Sequence, residues 1–292
     1  FISPMAESEF RLKPRITIED CPSEVFSVRF NDQGNYLAVG CGDGSIRVYV
    51  VHEDKAILKY NLNVGPKEGL PMTSMRFRPI SKNSKTKNVL LAVNADGTAQ
   101  HWHITSGRRV RRIVDEDNQL YCVDYSRSGA RFVVAGKDHA VKVYDEATKS
   151  LRATMKSGFL SSAPGHSNRV FSVKYVPHDE NLVVSGGWDN TVQIWDTRIE
   201  QSVRNFYGPH ICGDSLDVFG DQIVTGSWRP EKQLQLWDLG TGKLIKDIQW
   251  KHGAGKTGDN CQLYAAQFSK IDQGTIRFVV DMISCHLAVM SH

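Results

Sequence analysis

Residues 165–196 read GHSNRVFSVKYVPHDENLVVSGGWDNTVQIWD, and this stretch decides the fold. It opens on Gly165-His166 and alternates apolar with polar residues over 170–175. It then runs apolar through 182–184, turns at Asp189-Asn190 and ends on Ile194-Trp195-Asp196. Period-two alternation marks a half-buried strand, and a short apolar run marks a strand covered on both faces. Asp-Asn suits a tight hairpin turn. The stretch therefore predicts three consecutive antiparallel strands.

The same pattern recurs on either side. A strand ends near an aromatic residue at Tyr49, Trp102, Tyr144, Trp195 and Trp237, at intervals of 53, 42, 51 and 42 residues. The two long intervals contain insertions at 81–88 and 157–165. Alternating first strands are expected at 25–30, 72–77, 120–125 and 170–175, and apolar second strands at 36–39, 89–93, 132–135, 182–184 and 222–225. Third strands are expected at 45–50, 98–104, 140–144, 191–195 and 233–237. A more polar fourth strand follows, as at 108–113 and 244–250. Its charges Arg108, Arg109, Arg111 and Arg112 would discourage edge-to-edge pairing. Asp43-Gly44 and Asp96-Gly97 repeat the turn, whereas the fifth unit has Arg229–Lys232 in its place. The sixth unit shows only 263–268 and 275–280 before the pattern fails.

On these residues the chain resembles the WD40-repeat family, over roughly 25–280. The resemblance implies an all-β propeller of four-stranded antiparallel blades, with about five and a half of seven blades present. Residues 15–18 alternate ahead of the first unit and would complete the last blade. Residues 1–14 are expected to be a non-native or disordered leader, 15–280 a propeller whose ring is incomplete, and 281–292 a divergent, non-native tail. The resemblance also implies that His166, Ser185, Asp189 and Trp195 form a structural tetrad: Asp accepts from His, His meets Ser, and Ser meets the indole N–H.

Composition narrows the function. The net charge is +4 over 292 residues, too small an excess to signal nucleic acid. No apolar stretch approaches the roughly 20 residues of a membrane span, and no membrane insertion is expected. The six cysteines, Cys21, Cys41, Cys122, Cys212, Cys261 and Cys285, are scattered, which points to reduced thiols in a cytoplasmic protein, with a nuclear or ciliary place as the alternative.

Several constellations imitate chemistry. Ser185, His166 and Asp189 mimic a hydrolase triad, but nothing nearby suggests an oxyanion hole. Residues 253–257, GAGKT, look like half a phosphate loop, yet Trp250 stands where the first Gly belongs. His210, Cys212, His252 and Cys261 fit no zinc spacing. His101 and His103 flank Trp102 and share one strand face. Asp115, Glu116 and Asp117 read as a solvated turn. No catalytic residue, metal or cofactor is expected.

What remains is binding. Loops entering the first strands and turns leaving the second form one face of a propeller, here called the upper face. Those positions hold Phe26, Tyr121, Arg169, Phe171 and Tyr264, with Trp188 and Trp228 in the turns. Tyr, Trp and Arg dominate interface hot spots. The expected function is a non-catalytic scaffold that binds partner proteins or peptides within a multiprotein complex. A second reading rests on Ile194–Arg198, which resembles the WDxR box of substrate receptors that dock on a cullin-RING ubiquitin-ligase adaptor; Asp196 and Arg198 would carry it. A third is RNA or polyphosphate binding through Lys82, Lys85, Lys87 and Arg108–Arg112.

Overall fold

The computed structural model describes residues 16–62, 69–80, 87–157, 164–248, 262–268, 276–281 and 287–288. All regular structure among them is strand; no helix occurs there, and so none long and apolar enough to cross a membrane.

Sheet one comprises β1 Val25–Phe30, β2 Tyr36–Cys41, β3 Ile46–Val51 and β4 Ala56–Leu62. Sheet two comprises β5 Met72–Phe77, β6 Val89–Asn94, β7 Thr98–His103 and β8 Arg108–Val114. Sheet three holds β9 Leu120–Tyr125, β10 Arg131–Gly136, β11 Val141–Asp145 and β12 Leu151–Met155. Sheet four holds β13 Val170–Val176, β14 Asp179–Gly187, β15 Thr191–Asp196 and β16 Gln201–Tyr207. Sheet five holds β17 Leu216–Phe219, β18 Gln222–Gly226, β19 Leu234–Asp238 and β20 Leu244–Ile248. Sheet six has β21 Leu263–Phe268, β22 Ile276–Asp281 and the short β23 Leu287–Ala288. In each sheet, sequence order is spatial order and neighbours are antiparallel. The first strands of successive sheets lie against one another, and Arg29 on β1 reaches Asp214 ahead of β17. The sheets are therefore blades around a central channel, and the all-β propeller is the fold.

The cores lie between blades, because sheets two to five bury both faces. Ala38, Ile46, Met72, Met75, Leu90 and Trp102 fill the gap between blades one and two. Val176, Val184, Ile194, Leu216 and Trp237 do so between four and five. Hence the second strands read as apolar runs; all six residues of β6 are buried. On β1, Val28 and Phe30 are 43% and 55% exposed, whereas their register equivalents Val173 and Tyr175 are buried between blades. Residues 16–18 form no strand; Ile18 packs on the cluster of Leu37, Val39, Cys41 and Tyr49 in blade one itself.

The hairpin turns follow from their chemistry. Gly44 and Gly97 adopt φ near +80°, a region open to glycine. Asn190 and His139 take the same place with φ near +60°. In all four turns the preceding aspartate, Asp43, Asp96, Asp138 or Asp189, accepts the amide N–H two residues on, at 2.9–3.2 Å.

Two expectations are corrected. Blade six gains a third strand, since Leu287 and Ala288 pair with Val280 and Val279. Two residues are too few to leave a period in sequence. Asp115 is no solvated face: it turns inward and accepts the Lys142 ammonium at 2.6 Å and the Asn118 amide at 2.8 Å.

Candidate functional site

One irregularity recurs where the inner strands begin. The register between first and second strands slips so that Phe26, Thr73, Tyr121, Phe171 and Tyr264 are each skipped. These are β-bulges, which re-aim a side chain out of the alternating pattern. Four of the five present a ring. The slip, rather than strand alternation, frees them from the interblade cores.

Two bulge rings stack with a turn residue. Tyr121 and Phe171 lie nearly parallel, with centroids 4.6 Å apart at 6°. Phe171 stacks on Trp188 at 4.9 Å and 27°, and Trp188 on His210 at 6.2 Å and 16°. Arg169 places its guanidinium 5.2 Å from the Trp188 ring centre, while its carbonyl accepts the Trp188 amide N–H at 3.0 Å. The ladder thus joins blade three to blade four and the loop entering blade five. Its members are half-buried. Stacked rings with a cation over one face hold a rigid apolar surface at low entropic cost.

Beside it, Trp228 meets Tyr264 edge to face at 6.3 Å and 80°. His210 links the two groups: its carbonyl accepts the Trp228 amide N–H at 2.9 Å, and its Nδ1 lies 2.7 Å from Asn190 Oδ1. Burial, with Arg229 nearby, lowers the His210 pKa, which favours the neutral imidazole. Burial pushes the Cys212 thiol, beside Trp188, up to about 11. It raises the Tyr121 and Tyr264 phenols as well.

Of the residues expected on this face, Tyr121, Arg169, Phe171 and Trp188 come together. Trp228 and Tyr264 make the second group. Phe26 stands apart on blade one, 43% exposed, with its ring close to Gly42. His210 and Cys212 were not expected here. No repeat position marks them, because they lie in the interblade loop and reach Trp188 only once blade five docks.

Inside blade four, His166 Nδ1 lies 2.7 Å from Asp189 Oδ2 and His166 Nε2 lies 2.7 Å from Ser185 Oγ. The Trp195 indole donates to the same Oγ at 2.7 Å. Burial raises the Asp189 carboxyl, but bonds from His166 and two backbone amides lower it further, so it stays ionised. His166, Ser185 and Trp195 are sealed from solvent. The group holds the upper turn to the third strand and has no approach for a substrate. Blade five keeps half of it, with Trp237 Nε1 donating to Thr225 Oγ1 at 3.0 Å. In blade two the corresponding acceptor position is Ala92, and the Trp102 indole N–H is buried without a partner among the described residues.

The comparisons with known proteins agree with this architecture. Residues 12–49, 107–145 and 158–196 match the family model described as "WD domain, G-beta repeat". The chain carries WD40 repeats over these three stretches. The second matched WD40 repeat starts one residue before β8, the outer strand of blade two, and ends with β11 of blade three. A WD40 repeat in sequence therefore straddles two blades.

Protein tipD of Dictyostelium discoideum is 26% identical over 140 residues, which cover 47% of this chain and 21% of that protein. Guanine nucleotide-binding protein subunit beta of Arabidopsis thaliana is 27% identical over 165 residues, 56% of this chain and 41% of the relative. APC/C activator protein CDC20 of Saccharomyces cerevisiae is 26% identical over 162 residues, 54% and 24%. The aligned stretches span less than half the length of each relative. A chain from "Crystal Structure of Mitotic Checkpoint Complex" has a TM-score of 0.71 and 16% identity, covering 92% of this chain and 75% of that one; the likeness is one of fold.

The remaining features of this WD40 chain fall elsewhere. Arg198 donates twice to Asp196, from Nε at 3.0 Å and from its terminal nitrogen at 2.7 Å, and stays 65% exposed. These bonds hold the Asp196 carboxyl below its usual range. His101 is buried and lies 3.0 Å from Glu146, while His103 meets Ser106 at 2.8 Å. No group of three metal-ligating side chains assembles among the described residues. His252, Cys261, residues 253–257, Lys82 and Lys85 lie outside the described residues.

Proposed function

We propose that this WD40 chain is a non-catalytic scaffold that holds partner proteins or peptides against its upper face. Tyr121, Phe171 and Trp188 are the central contact, with Arg169, Trp228 and Tyr264 around it. The observation that carries this reading is the stacked ladder itself. Bulges turn Tyr121 and Phe171 away from the interblade cores, and a turn adds an indole on top. A rigid aromatic patch with an arginine over one ring has the composition of an interface hot spot. The relatives support the coarser part: by name, one is a subunit of a guanine nucleotide-binding protein and another an activator of the APC/C, and the similar fold was solved within the mitotic checkpoint complex.

The test is a peptide library displayed against the whole chain, followed by affinity measurements on the selected peptides. Trp188→Ala should weaken them by about 30-fold or more, the cost of a hot-spot truncation. The exposed control Val110→Ser on β8 should leave affinity unchanged. Peptides that bind Trp188→Ala and Phe171→Ala as well as the parent chain would exclude this face.

A second reading, docking on a ubiquitin-ligase adaptor, is favoured by the pre-set and exposed guanidinium of Arg198. Arg198→Ala should abolish adaptor capture in a pulldown. Capture that survives the substitution, or none by the parent chain, removes this reading.

A further inference from the structure

A cleft of about 600 Å³ opens between blades two and three, at the end opposite the aromatic ladder. The last residues of β7, the start of β8, Arg78 after β5 and the turn between β11 and β12 enclose it. We infer that this cleft binds a compact polyphosphorylated anion, a small molecule bearing several phosphate groups, with Arg78 as the inner contact and Arg108 and Lys149 around the mouth.

The floor of the cleft is Glu146, whose side chain is 3% exposed. Its carboxylate is already occupied. It accepts from the Lys149 ammonium at 2.5 Å and the Tyr125 hydroxyl at 3.3 Å, and the His101 ring lies 3.0 Å away. Arg78 stands 3.8 Å from it, beyond hydrogen-bond reach. The Arg78 stem packs beside Gly129 of blade three, and its Nε–H is buried with no partner among the described residues. A guanidinium carries five donors in a fork that matches carboxylate or phosphate oxygens. This one is 22% exposed and spends no side-chain hydrogen bond on its own protein among the described residues.

Charge points the same way. In the β7–β8 pair, Arg108 stands opposite His103 and Arg111 opposite His101, so both share the sheet face that His101 turns toward blade three. Arg109, opposite Trp102, also lines the cleft, with its guanidinium 5.9 Å from the centre of that ring. Arg78, Arg108, Arg109 and Lys149 thus line the cleft with the single carboxylate Glu146, a balance of three positive charges. The nearby Asp145 is engaged by Arg152 at 3.3 Å and by its own turn amides. Phosphate oxygens would supply the acceptors that the blades do not, and charge-assisted bonds of this kind are the strong ones. The space suits a small polyphosphate. A nucleic acid strand would need an extended basic track instead.

Calorimetric titration of the whole chain at about 150 mM salt, the ionic strength at which surface charge is screened within roughly 8 Å, tests the inference. Inositol hexakisphosphate, tripolyphosphate and ATP are the probes, and they separate the sources of phosphate. At least one should bind with one-to-one stoichiometry. Arg78→Gln and the exposed variant Arg108→Glu should each weaken it by about tenfold or more, as expected for losing a charged hydrogen bond. Lys246→Glu, on the exposed outer strand of blade five, should not. The inference is overturned if none of the probes binds, if Lys246→Glu weakens binding as much, or if RNA binds while the small phosphates do not.

Discussion

Asp214→Ala should cost this propeller about 2–4 kcal/mol, below the full penalty for breaking a buried ion pair because the Asp214 side chain keeps 22% exposure. Asp214 precedes β17 and occupies, in blade five, the position where the other blades carry their bulge residue. It accepts from Arg76 at 2.9 and 3.0 Å, from Lys174 at 3.0 Å, from Gln267 at 2.8 Å and from Arg29. Those donors come from blades two, four, six and one. One carboxylate therefore ties five blades across the channel, and its loss leaves three cations with Asp124, which Arg76 reaches at 3.3 Å, and Asp217. Domains are stable by only about 5–15 kcal/mol, so the effect should be visible as a large drop in urea midpoint. Asp214→Asn, which keeps the shape and removes the charge, should show most of the loss. A change under about 1 kcal/mol, the size of an exposed pair, would mean that the channel charges are solvated.

The same site has a pH signature. Burial pushes the Asp214 carboxyl up, but Arg76, Lys174 and Arg29 more than reverse this and hold it well below the carboxylate range. A depressed acid stabilises the fold fully above its unfolded pKa, near 3.9, and that contribution fades as pH falls toward the folded value. Asp214→Asn should therefore cost most above about pH 4 and least in stronger acid. Asp217, which burial raises, has the opposite sign.

The second large effect is expected at Ser185. Its Oγ is the shared partner of the Trp195 indole and the His166 ring. Ser185→Ala leaves the indole N–H and the His166 Nε2 buried and unpaired, at a cost of about 2–4 kcal/mol. A serine-directed phosphonate should leave the folded parent chain unlabelled, because the hydroxyl is sealed inside the blade. Labelling at Ser185, with stability unchanged by the substitution, would reverse the structural assignment of the tetrad.

Much of this was legible because the repeat is local. Asp189-Asn190 and Ile194-Trp195-Asp196 lie within one hairpin, so turn chemistry and strand period announce them together. The rings of the upper face were legible for a related reason: Phe26, Tyr121, Phe171 and Tyr264 occupy one repeat position, although only the structure shows that a bulge aims them. What stayed hidden are contacts between blades. Arg29 and Asp214 are 185 residues apart, and His101 and Glu146 are 45 apart. Neither pair leaves a periodic trace, since any charge at those positions fits the strand pattern equally well. Arg78 reads as an ordinary strand-end arginine until blade three walls it in.

The central claim is that the chain works by holding partners on the stacked face of blades three and four. Hydroxyl-radical footprinting of the chain, alone and saturated with a selected peptide, tests it most directly. The expected result is protection of Tyr121, Phe171 and Trp188, with Trp102 and Tyr207 unchanged. Protection confined to the outer strands or to the opposite end of the blades, with the ladder still fully reactive, would contradict it.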